Sequence, residues 1–529
     1  MKNIFAILFF TVGIFGMASA QAPTIQWAKC LGGTESDKSY SVIQTDDGSY
    51  VIAGVTLSPN GDVVGLHGGF LDDMWIIKLD SLGGIVWKKC LGGSVAEGAS
   101  SIKETYDKGF IISGYATSTD FDVTGGGFHG GLEDFWIVKT DSLCNIQWQK
   151  CFGGMNLDWG NCILQTKDSG FVIAGEVESL DGDIDTSYGG GDAWIVKYSN
   201  SGNLLWKKMY GGTGTEYVYA IDQLNDGCLI VAGGTNSNDF DATGNHGDLD
   251  AWVIKMDQLG NLFWHKCIGG SSGEVFSSVL INSRQQIVLG GGTSSIDGDI
   301  SGNHGGEDSF IIVLDSTGST IWQRCYGGFG MDYCLSIEAT NDNGYILATS
   351  SSSYDSLVTC NNGWDDYYII KLDSAGDEEW NKCLGGSSAD EPWSILQSMD
   401  SSYIITGHTY SNDGDVSGHH NSAEWDIWVV KLAQLGLEIQ TNEMSIDYLV
   451  RFNSFQNLDI SFYSDYSEDL SVQVFDLAGK IVLGQTLKVE QGVNTKSLKT
   501  PHLSQGLYFV QLISSNGSIT KKVPLNGSY

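Results

Sequence analysis

The stretch WKKCLGGS at residues 87–94 is nearly repeated as WAKCLGGT at 27–34 and as WNKCLGGS at 380–387. The tryptophan that opens it recurs seven times, 58 to 61 residues apart. Self-similarity at a fixed period indicates a repeat architecture in which each repeat forms one supersecondary unit. The repeats start near Trp27, Trp87, Trp148, Trp206, Trp264, Trp322 and Trp380.

Each repeat contains four strand patterns. In the second repeat they are ASSIKET, GFIISGYA, DFWIVKTD and IQWQKCFGG, separated by Gly-, Asp-, Asn- and Ser-containing turns and loops. Short runs that alternate or are fully apolar, bounded by such residues, are typical of strands rather than helices. Seven four-stranded antiparallel units of about 60 residues match the blades of a β-propeller.

The seventh repeat lacks a fourth strand, because IWVVKLA at 427–433 is followed by LGLEIQ without the expected Trp and Cys. The matching strand, TIQWAKCLGG at 24–33, precedes the first full repeat. We predict that this N-terminal strand completes the seventh blade and closes the ring, which hides exposed sheet edges. The predicted fold is all-β, with a seven-bladed β-propeller over residues 21–432 and a small C-terminal β-sandwich over residues 441–529.

The N-terminal segment MKNIFAILFFTVGIFGMASA, residues 1–20, has the form of a secretory signal peptide. Lys2 precedes an apolar run and small residues end the segment, which predicts cleavage after Ala20. No later stretch of about 20 apolar residues is present, so we expect no transmembrane segment in the mature chain. Residues 433–440 are predicted to link the two domains.

The charge of the chain limits its partners. Its 529 residues include 64 acidic and 28 basic side chains, a formal net charge of -36. Nucleic acids and anionic membrane surfaces are bound by clustered Lys and Arg, so the composition opposes a nucleic-acid partner. Acidity on this scale is compatible with cation binding, and also with a solvated surface that keeps the protein soluble.

Two stretches carry a family resemblance for the repeats. IIKLDSLGGIVW at 76–87 and VIKMDQLGNLFW at 253–264 resemble the Asp-x-x-Gly-x-x-x-Trp repeat of quinoprotein-type propellers. The whole unit is similar to the propeller repeats of secreted Bacteroidetes proteins. The resemblance implies the fold, and because the matched residues form blades it implies neither a quinone site nor an activity.

The C-terminal region carries a second resemblance. VQVFDLAGKIV at 472–482, LSQGLYFVQL at 503–512 and the pair Lys521 and Lys522 resemble the C-terminal sorting domain of cargo exported by the type IX secretion system of Bacteroidetes. This resemblance implies the outer-membrane secretion machinery as a partner. It also implies a protein that is secreted or attached to the outer surface of the outer membrane.

Most of the eleven cysteines follow the repeat. One repeat position is filled by Cys30, Cys90, Cys151, Cys267, Cys325, Cys383 and, in the remaining copy, Met209. A position that accepts Cys or Met predicts a packing site, and equivalent points on different blades are too far apart for a disulfide. We therefore expect buried free thiols there. Bridges between Cys144 and Cys162, or between Cys334 and Cys360, are open alternatives.

Two sets of acids recur in all seven repeats. The first lies ten residues after each tryptophan: Asp37, Glu97, Asp158, Glu216, Glu274, Asp332 and Asp390. The second precedes the third strand: Asp73, Asp134, Asp192, Asp250, Asp308, Asp366 and Asp426. Both sets should ring one mouth of the propeller. Sevenfold regularity favours a structural role as acceptors of loop N–H groups, because a catalytic site needs one asymmetric constellation.

A third acidic pattern lies in the loop between the second and third strands. It comprises Asp181 with Asp183, Asp239 with Asp241, Asp297 with Asp299, and Asp413 with Asp415. Alternating acids of this kind are candidate calcium ligands, and calcium is the one cofactor we consider. The alternative is a set of solvated Asx turns. One histidine per blade recurs nearby, at His67, His129, His246, His304 and His420, which is a poor zinc site.

The repeat is broken in its sixth and seventh copies. The sixth gains Trp364, and the seventh gains Trp393 and Trp425 beside Asp390 and Asp426. Extra aromatic side chains beside carboxylates are candidate ligand-binding residues that stack a sugar ring or anchor a partner protein. Packing between blades is the alternative.

These observations favour a secreted or cell-surface propeller that acts as a non-enzymatic binding or adhesion module for a glycan or a protein. A polysaccharide lyase or hydrolase on a propeller scaffold is the alternative from another class. A hydrolase needs one carboxylate pair at a set spacing, which sevenfold acids do not identify. A structural surface scaffold without a discrete pocket is the third interpretation.

Overall fold

The computed structural model describes two stretches of the chain. They are residues 22–433 except 70, 126 and 422, and residues 448–525 except 453–456, 465–467, 476–479, 501–502, 504–505 and 515–516. The predicted signal peptide and the predicted linker beyond residue 433 lie outside the described residues. The chain forms two compact units, Met1–Gln434 and Leu435–Tyr529.

The first unit contains seven antiparallel sheets of four strands. We call them blades 1 to 7 and number them by their first strands: β2 (Asp37–Gln44), β6 (Glu97–Glu104), β10 (Asp158–Gln165), β14 (Glu216–Gln223), β18 (Glu274–Ile281), β22 (Asp332–Ala339) and β26 (Asp390–Gln397). Each first strand contacts the first strands of both neighbouring blades, including β2 with β26. The first strands therefore lie around the central axis, as in a β-propeller.

The second and third strands of each blade are almost entirely buried, because both faces of the sheet are covered by neighbouring blades. The second strands are β3 (Tyr50–Thr56), β7 (Phe110–Ala116), β11 (Phe171–Val177), β15 (Leu229–Thr235), β19 (Ile287–Thr293), β23 (Tyr345–Ser351) and β27 (Tyr403–Thr409). The third strands are β4 (Asp73–Leu79), β8 (Asp134–Thr140), β12 (Asp192–Tyr198), β16 (Asp250–Met256), β20 (Asp308–Leu314), β24 (Asp366–Leu372) and β28 (Asp426–Leu432).

Each fourth strand contains the recurring tryptophan. They are β5 (Ile85–Leu91), β9 (Ile146–Phe152), β13 (Leu204–Tyr210), β17 (Leu262–Ile268), β21 (Thr320–Tyr326), β25 (Glu378–Leu384) and, in blade 7, β1 (Ile25–Leu31). In five of the repeats the tryptophan packs on a turn glycine of the next blade. A Cβ added to Gly202, whose φ is +76°, would lie 3.0 Å from the Trp148 ring. The repeated Gly and Trp are therefore an inter-blade contact.

Blade 7 takes strands from both ends of the propeller sequence. β1 pairs antiparallel with β28, with Lys29 opposite Val429. The junction with blade 1 uses the same hydrogen bonds as the other junctions. The N–H of Asp37 donates to the carbonyl of Trp425 at 2.7 Å, as the N–H of Glu97 donates to that of Asp72 at 2.8 Å. Closure of the ring by the N-terminal strand stays a prediction, and these bonds are compatible with it.

The second unit consists of two antiparallel sheets. One has the order β29 (Tyr448–Phe452), β30 (Leu458–Ser464), β33 (Gly492–Leu498), and the other β32 (Ile481–Val489), β31 (Glu468–Phe475), β34 (Gly506–Ser514), β35 (Gly517–Leu525). Both contribute to one apolar core, with Leu458 and Ile460 from the first and Val472, Val474 and Val510 from the second. Two sheets with a shared core have the layered packing expected of a small sandwich.

Helical structure in the described residues is limited to a short 3-10 turn, Phe121–Val123. None of the described segments is a helix long and apolar enough to cross a bilayer.

The prediction of buried free thiols is wrong at Cys383, which is paired, and Cys30 and Cys325 are free but only partly buried. Cys383 forms a disulfide with Cys360, with the Cα atoms 5.5 Å apart, whereas Cys334, Cys144 and Cys162 are free and buried. Equivalent points on different blades are too far apart for a disulfide. In blade 6 the second cysteine comes instead from the blade's own loop between β23 and β24, which folds over β25.

Candidate functional site

The first set of acids fastens the loop that enters each blade. In blade 7 the Oδ2 of Asp390 accepts hydrogen bonds from the Gly386 N–H at 2.7 Å and the Ser411 hydroxyl at 2.8 Å, and Thr409 donates to the other oxygen. Equivalent bonds from the glycine N–H are present in the other six blades. The set is fully buried. Its predicted role in holding loops is confirmed.

The second set fastens the loop that enters the third strand. The Oδ2 of Asp426 accepts the backbone N–H of His420 at 2.9 Å and lies 2.7 Å from its Nδ1. All five recurring histidines contact their second-set acid in this way, through the backbone N–H and the ring. Tyr188 stands at this position in blade 3 and Asn362 in blade 6, and each donates only its backbone N–H to the acid. The proposal that Asp390 and Asp426 contact a ligand is wrong, because both are buried under their loops.

The two sets meet at every junction between blades. The first glycine of each Gly-Gly pair lies between an acid of the second set and an acid of the first set of the following blade. A Cβ added to Gly385 would lie 2.5 Å from Asp366 Oδ1 and 2.7 Å from Asp390 Oδ2. The Oδ1 atoms of all seven second-set acids are buried without a hydrogen-bond partner. We call the acids of both sets the junction acids.

Burial raises the pKa values of many junction acids. It raises the pKa of Asp37 to about 6 despite hydrogen bonds from Thr56, Ser58 and Gly33, and that of Asp366 to about 7, where Asp390 adds repulsion. Blade 6 has Asn362 where five blades have a histidine, so Asp366 lacks the basic partner that Asp426 has. The second-set acid at the junction between blades 6 and 7 therefore has no histidine partner.

We expect the propeller to lose stability as the pH rises from about 4 to about 8. A pKa that is raised on folding favours the protonated form in the folded state, so its contribution is complete below the unfolded pKa and is lost as the pH passes the folded pKa. Asp366→Asn should raise stability at pH 8 by about 1–2 kcal/mol and reduce this pH dependence, as measured by thermal unfolding.

Asp250→Asn is the matched control, because burial also raises the pKa of Asp250 but His246 at 2.7 Å offsets part of that effect, so this substitution should raise stability at pH 8 less than Asp366→Asn does. Equal effects of the two substitutions, or a stability that rises with pH, would contradict the expectation.

The predicted calcium residues lie in the loops between the second and third strands of their blades. The first acid of each pair accepts a backbone N–H: Asp181 from Met155 at 2.9 Å, and Asp413 from Ser387 at 2.7 Å. Asp239 and Asp297 make the same contact. No group of three or more His, Cys, Asp or Glu within the described ranges is close enough to hold a metal ion. These hydrogen bonds join each acid to a loop 26 residues earlier in the chain, so they are not local Asx turns, and the calcium assignment stays a prediction.

Two of the three extra tryptophans lie around one histidine. The His408 ring lies 4.6 Å from the Trp425 ring and 6.0 Å from the Trp393 ring, measured between centroids. Tyr40 contacts Trp393 edge-on at 4.9 Å, and the Lys38 Nζ lies 5.3 Å from the centre of Trp425. Trp393 and Trp425 are half-buried, so both candidate roles, packing and ligand contact, are compatible with their positions.

Trp364 lies in another environment. It is 76% exposed and belongs to the loop between β23 and β24 of blade 6. That loop is held by the Cys360–Cys383 disulfide and by Asn361, whose Nδ2 donates to the carbonyls of Ser351 and Trp364.

Other large apolar side chains are exposed on the same loops of blade 6. The blade 6 patch consists of Phe329, Met331, Tyr354, Leu357 and Trp364. The N–H of Phe329 donates to Asp355 at 2.7 Å, so the two loops that carry these residues are connected. The corresponding positions after the Gly-Gly pair of blade 7 are occupied by Ser387 and Ala389. The patch therefore distinguishes blade 6 from its neighbour.

The sequence analysis missed an acidic rim around the central axis. It consists of Asp72, Glu133, Glu176, Glu307, Asp365 and Glu391, which we call the acidic mouth. Glu391 is the second residue of a first strand, and Glu176 lies opposite the second residue of the first strand of its blade. Asp72, Glu133, Glu307 and Asp365 each directly precede a third strand. The repeat does indicate that this position is variable. The first residue of every first strand is acidic, whereas the second residue changes from Lys38 to Trp159 to Glu391.

These features define a seven-bladed β-propeller protein with a separate C-terminal β-domain. Residues 454–526 match the family model of the secretion system C-terminal sorting domain. The chain is therefore a propeller protein with a C-terminal sorting domain, which implies a secreted or outer-surface location.

A curated relative is the regulatory protein FlaEY of Caulobacter vibrioides, 22% identical over 417 residues. The match covers 71% of this chain and 43% of that protein, so the chain spans under half the length of this relative.

Solved structures with similarity to the chain have low TM-scores. The Pan2 WD40 domain of Neurospora crassa has a TM-score of 0.41 at 10% identity, covering 75% of this chain and 89% of that chain. The structure of YCF48 bound to D1 peptide has a TM-score of 0.38 at 10% identity, covering 80% and 100%. A gluconolactonase from Xanthomonas campestris has a TM-score of 0.35 at 9% identity, covering 79% and 96%.

Proposed function

We propose that this protein is a non-enzymatic binding propeller, exported by the type IX secretion machinery through its sorting domain, which recognises an extracellular glycan or protein. The N-terminal strand closes the ring, and the loops of blade 6 carry the ligand site. The observation that supports this proposal is the blade 6 patch, in which five large apolar side chains are exposed on the connected loops of blade 6.

The chemistry of the patch suits recognition. Trp364 and Tyr354, 76% and 77% exposed, offer flat faces that stack on a sugar ring or anchor a partner side chain. Large exposed apolar groups on a soluble surface mark interaction sites when they are contiguous. The Cys360–Cys383 disulfide and the bonds of Asn361 hold the loop in place, which lowers the entropy lost on binding.

A glycan array probed with the mature chain tests the proposal. We expect retention on a defined glycan, and we expect Trp364→Ala to lower retention at least about tenfold, because truncation of a central aromatic anchor costs more than about 1 kcal/mol. Phe263→Ala is the matched control, since Phe263 is 60% exposed on β17 of blade 4.

The outcomes separate the candidate functions. Retention that survives Trp364→Ala would exclude the blade 6 patch as the site. Loss of the printed glycan would favour the lyase or hydrolase alternative, and a blank array would leave the protein ligand or the structural scaffold. The array is probed in the presence of calcium and again with a chelator. Loss of retention in the chelator would support the Asp-x-Asp loops as calcium ligands.

A further inference from the structure

One loop of the propeller is fastened to its blade by a covalent bond. The blade 6 loop, residues 352–365, joins β23 to β24, and its Cys360 forms a disulfide with Cys383 of β25. The other nine cysteines, all within the described residues, are free. The same loop carries the exposed side chains of Trp364 and Tyr354. The disulfide therefore lies in the loop that we propose to bind the ligand.

The blade 5 loop, residues 294–307, shows how this loop is held without a disulfide. It has the same length as the blade 6 loop, and Cys325 of β21 occupies the position of Cys383. The Cys325 thiol is free and donates to the carbonyl of Ser301 at 3.6 Å. Blade 5 has Gly302 where blade 6 has Cys360. One cysteine in the loop thus replaces a weak thiol hydrogen bond by a covalent bond.

A backbone hydrogen bond that holds the blade 5 loop is redirected in blade 6. The N–H of Asp299 donates to the carbonyl of Gly269 at 2.9 Å, and blades 1 to 4 and 7 have the equivalent bond. Leu357 occupies the position of Asp299 in blade 6, and its N–H donates instead to Asp355 of the same loop at 2.7 Å. This N–H therefore bonds the blade 6 loop to itself rather than to the loop that enters the blade.

The histidine contact near the end of the loop is also changed in blade 6. His304 of blade 5 contacts Asp308 through its backbone N–H and, at 2.7 Å, through its Nδ1. Asn362 occupies this position in blade 6 and donates its backbone N–H to Asp366. The covalent bond is thus present in the blade where two noncovalent contacts of the loop differ.

We infer that the Cys360–Cys383 disulfide is a redox switch of the blade 6 loop: the oxidised bond fixes the loop, and reduction releases it. Release is confined to the loop, because Val358 is 1% exposed in an apolar core and Asn361 donates to the carbonyl of Ser351. The effect of the switch on ligand affinity rests on the proposed function. A released loop must be ordered again on binding, so the reduced protein binds its ligand less tightly.

The switch opens by thiol–disulfide exchange with a dithiol reductant. Cys360 is partly exposed and Cys383 is buried, so a thiolate of the reductant attacks the Sγ of Cys360. The disulfide breaks, and Cys383 leaves as a thiolate that takes up a proton. The second thiol of the reductant then attacks the mixed disulfide, which frees Cys360 as a thiol and converts the reductant to its disulfide. Two electrons and two protons pass to the protein. Disulfides persist in oxidising compartments, so the exported chain has the closed form.

Hydrogen exchange of the mature chain, followed by mass spectrometry with and without dithiothreitol, tests the switch. We expect amide exchange in residues 353–364 to become at least about tenfold faster after reduction, because fewer contacts then oppose local opening. The blade 5 loop is the internal control, and its exchange should be unchanged. Thermal unfolding should show that the reduced propeller is still folded.

Two variants separate the disulfide from other effects of the reductant. Cys360→Ser removes the bond, so its blade 6 loop should exchange as fast as that of the reduced parent, and dithiothreitol should have no further effect. Cys325→Ser is the matched control, because it removes a free thiol at the equivalent position of blade 5. On the glycan array, Cys360→Ser should lower retention at least about fivefold, and Cys325→Ser should leave it unchanged.

The inference fails if reduction leaves the exchange of the blade 6 loop unchanged, if the blade 5 loop accelerates equally, or if the reduced propeller unfolds. Retention of a glycan by Cys360→Ser at the level of the parent would also overturn it. A blank array would count against the proposed glycan ligand alone, and the exchange of the blade 6 loop in the parent would then decide whether the switch exists.

Discussion

Removal of the N-terminal strand, residues 22–31, is expected to abolish the single cooperative unfolding transition of the propeller. Without β1, the strand β28 becomes an unpaired edge and Gly83 loses its contact with the Trp27 ring. Leu31 leaves the core that it shares with Ile427 and Val429. The loss should be comparable to the total stability of a domain, about 5–15 kcal/mol.

Differential scanning calorimetry of the mature chain and the truncated chain measures this effect. The expected result is a broad or multiple transition, or aggregation through the open edge. Gln26→Ala is the control, because this side chain is exposed on the same strand and its loss should leave the transition unchanged. An unchanged transition in the truncated chain would exclude closure by the N-terminal strand.

Gly211→Ala is expected to destabilise the propeller strongly. A Cβ at this position would lie 2.2 Å from Glu216 Oε2 and 2.4 Å from Asp192 Oδ1, both in fully buried side chains. The loops cannot move apart without breaking the bonds that Glu216 makes with the Gly212 N–H and the Thr235 hydroxyl. We expect a loss of about 3 kcal/mol, at the upper end for overpacking.

Gly273→Ala is the matched control in the corresponding loop of blade 5. An added Cβ there meets no atom within 4 Å, so this variant should unfold within about 0.5 kcal/mol of the parent in urea. Similar losses of stability in the two variants would show that the narrow gap between Glu216 and Asp192 is not the reason for the glycine at 211.

The architecture could be predicted because it depends on local patterns. The repeated Trp, Gly-Gly and acid positions recur every 58 to 61 residues and place four strands in each repeat. The seven blades follow from that count, and the sorting domain follows from its own motifs at 472–482 and 503–512. The role of the first-set acids was also predictable, since an Asp in a turn accepts backbone N–H groups wherever the turn recurs.

The candidate sites were only partly predictable. Trp364 departs from the repeat and is exposed, as its sequence position suggested. Asp390 and Asp426 were chosen for their charge, but the loops that they fasten also cover them. The partner of Cys383 was missed because the fold of a single loop brings Cys360 to it across 23 residues.

The sequence by itself determined the number of blades, the strand positions and the export module, because each depends on periodicity or on a contiguous motif. Only the tertiary structure decided which side chains meet around the axis. Glu391 and Lys38 are more than 350 residues apart and come together only because blades 7 and 1 are neighbours in the ring. Contacts of that range depend on the closure of the whole fold, so no local pattern specifies them.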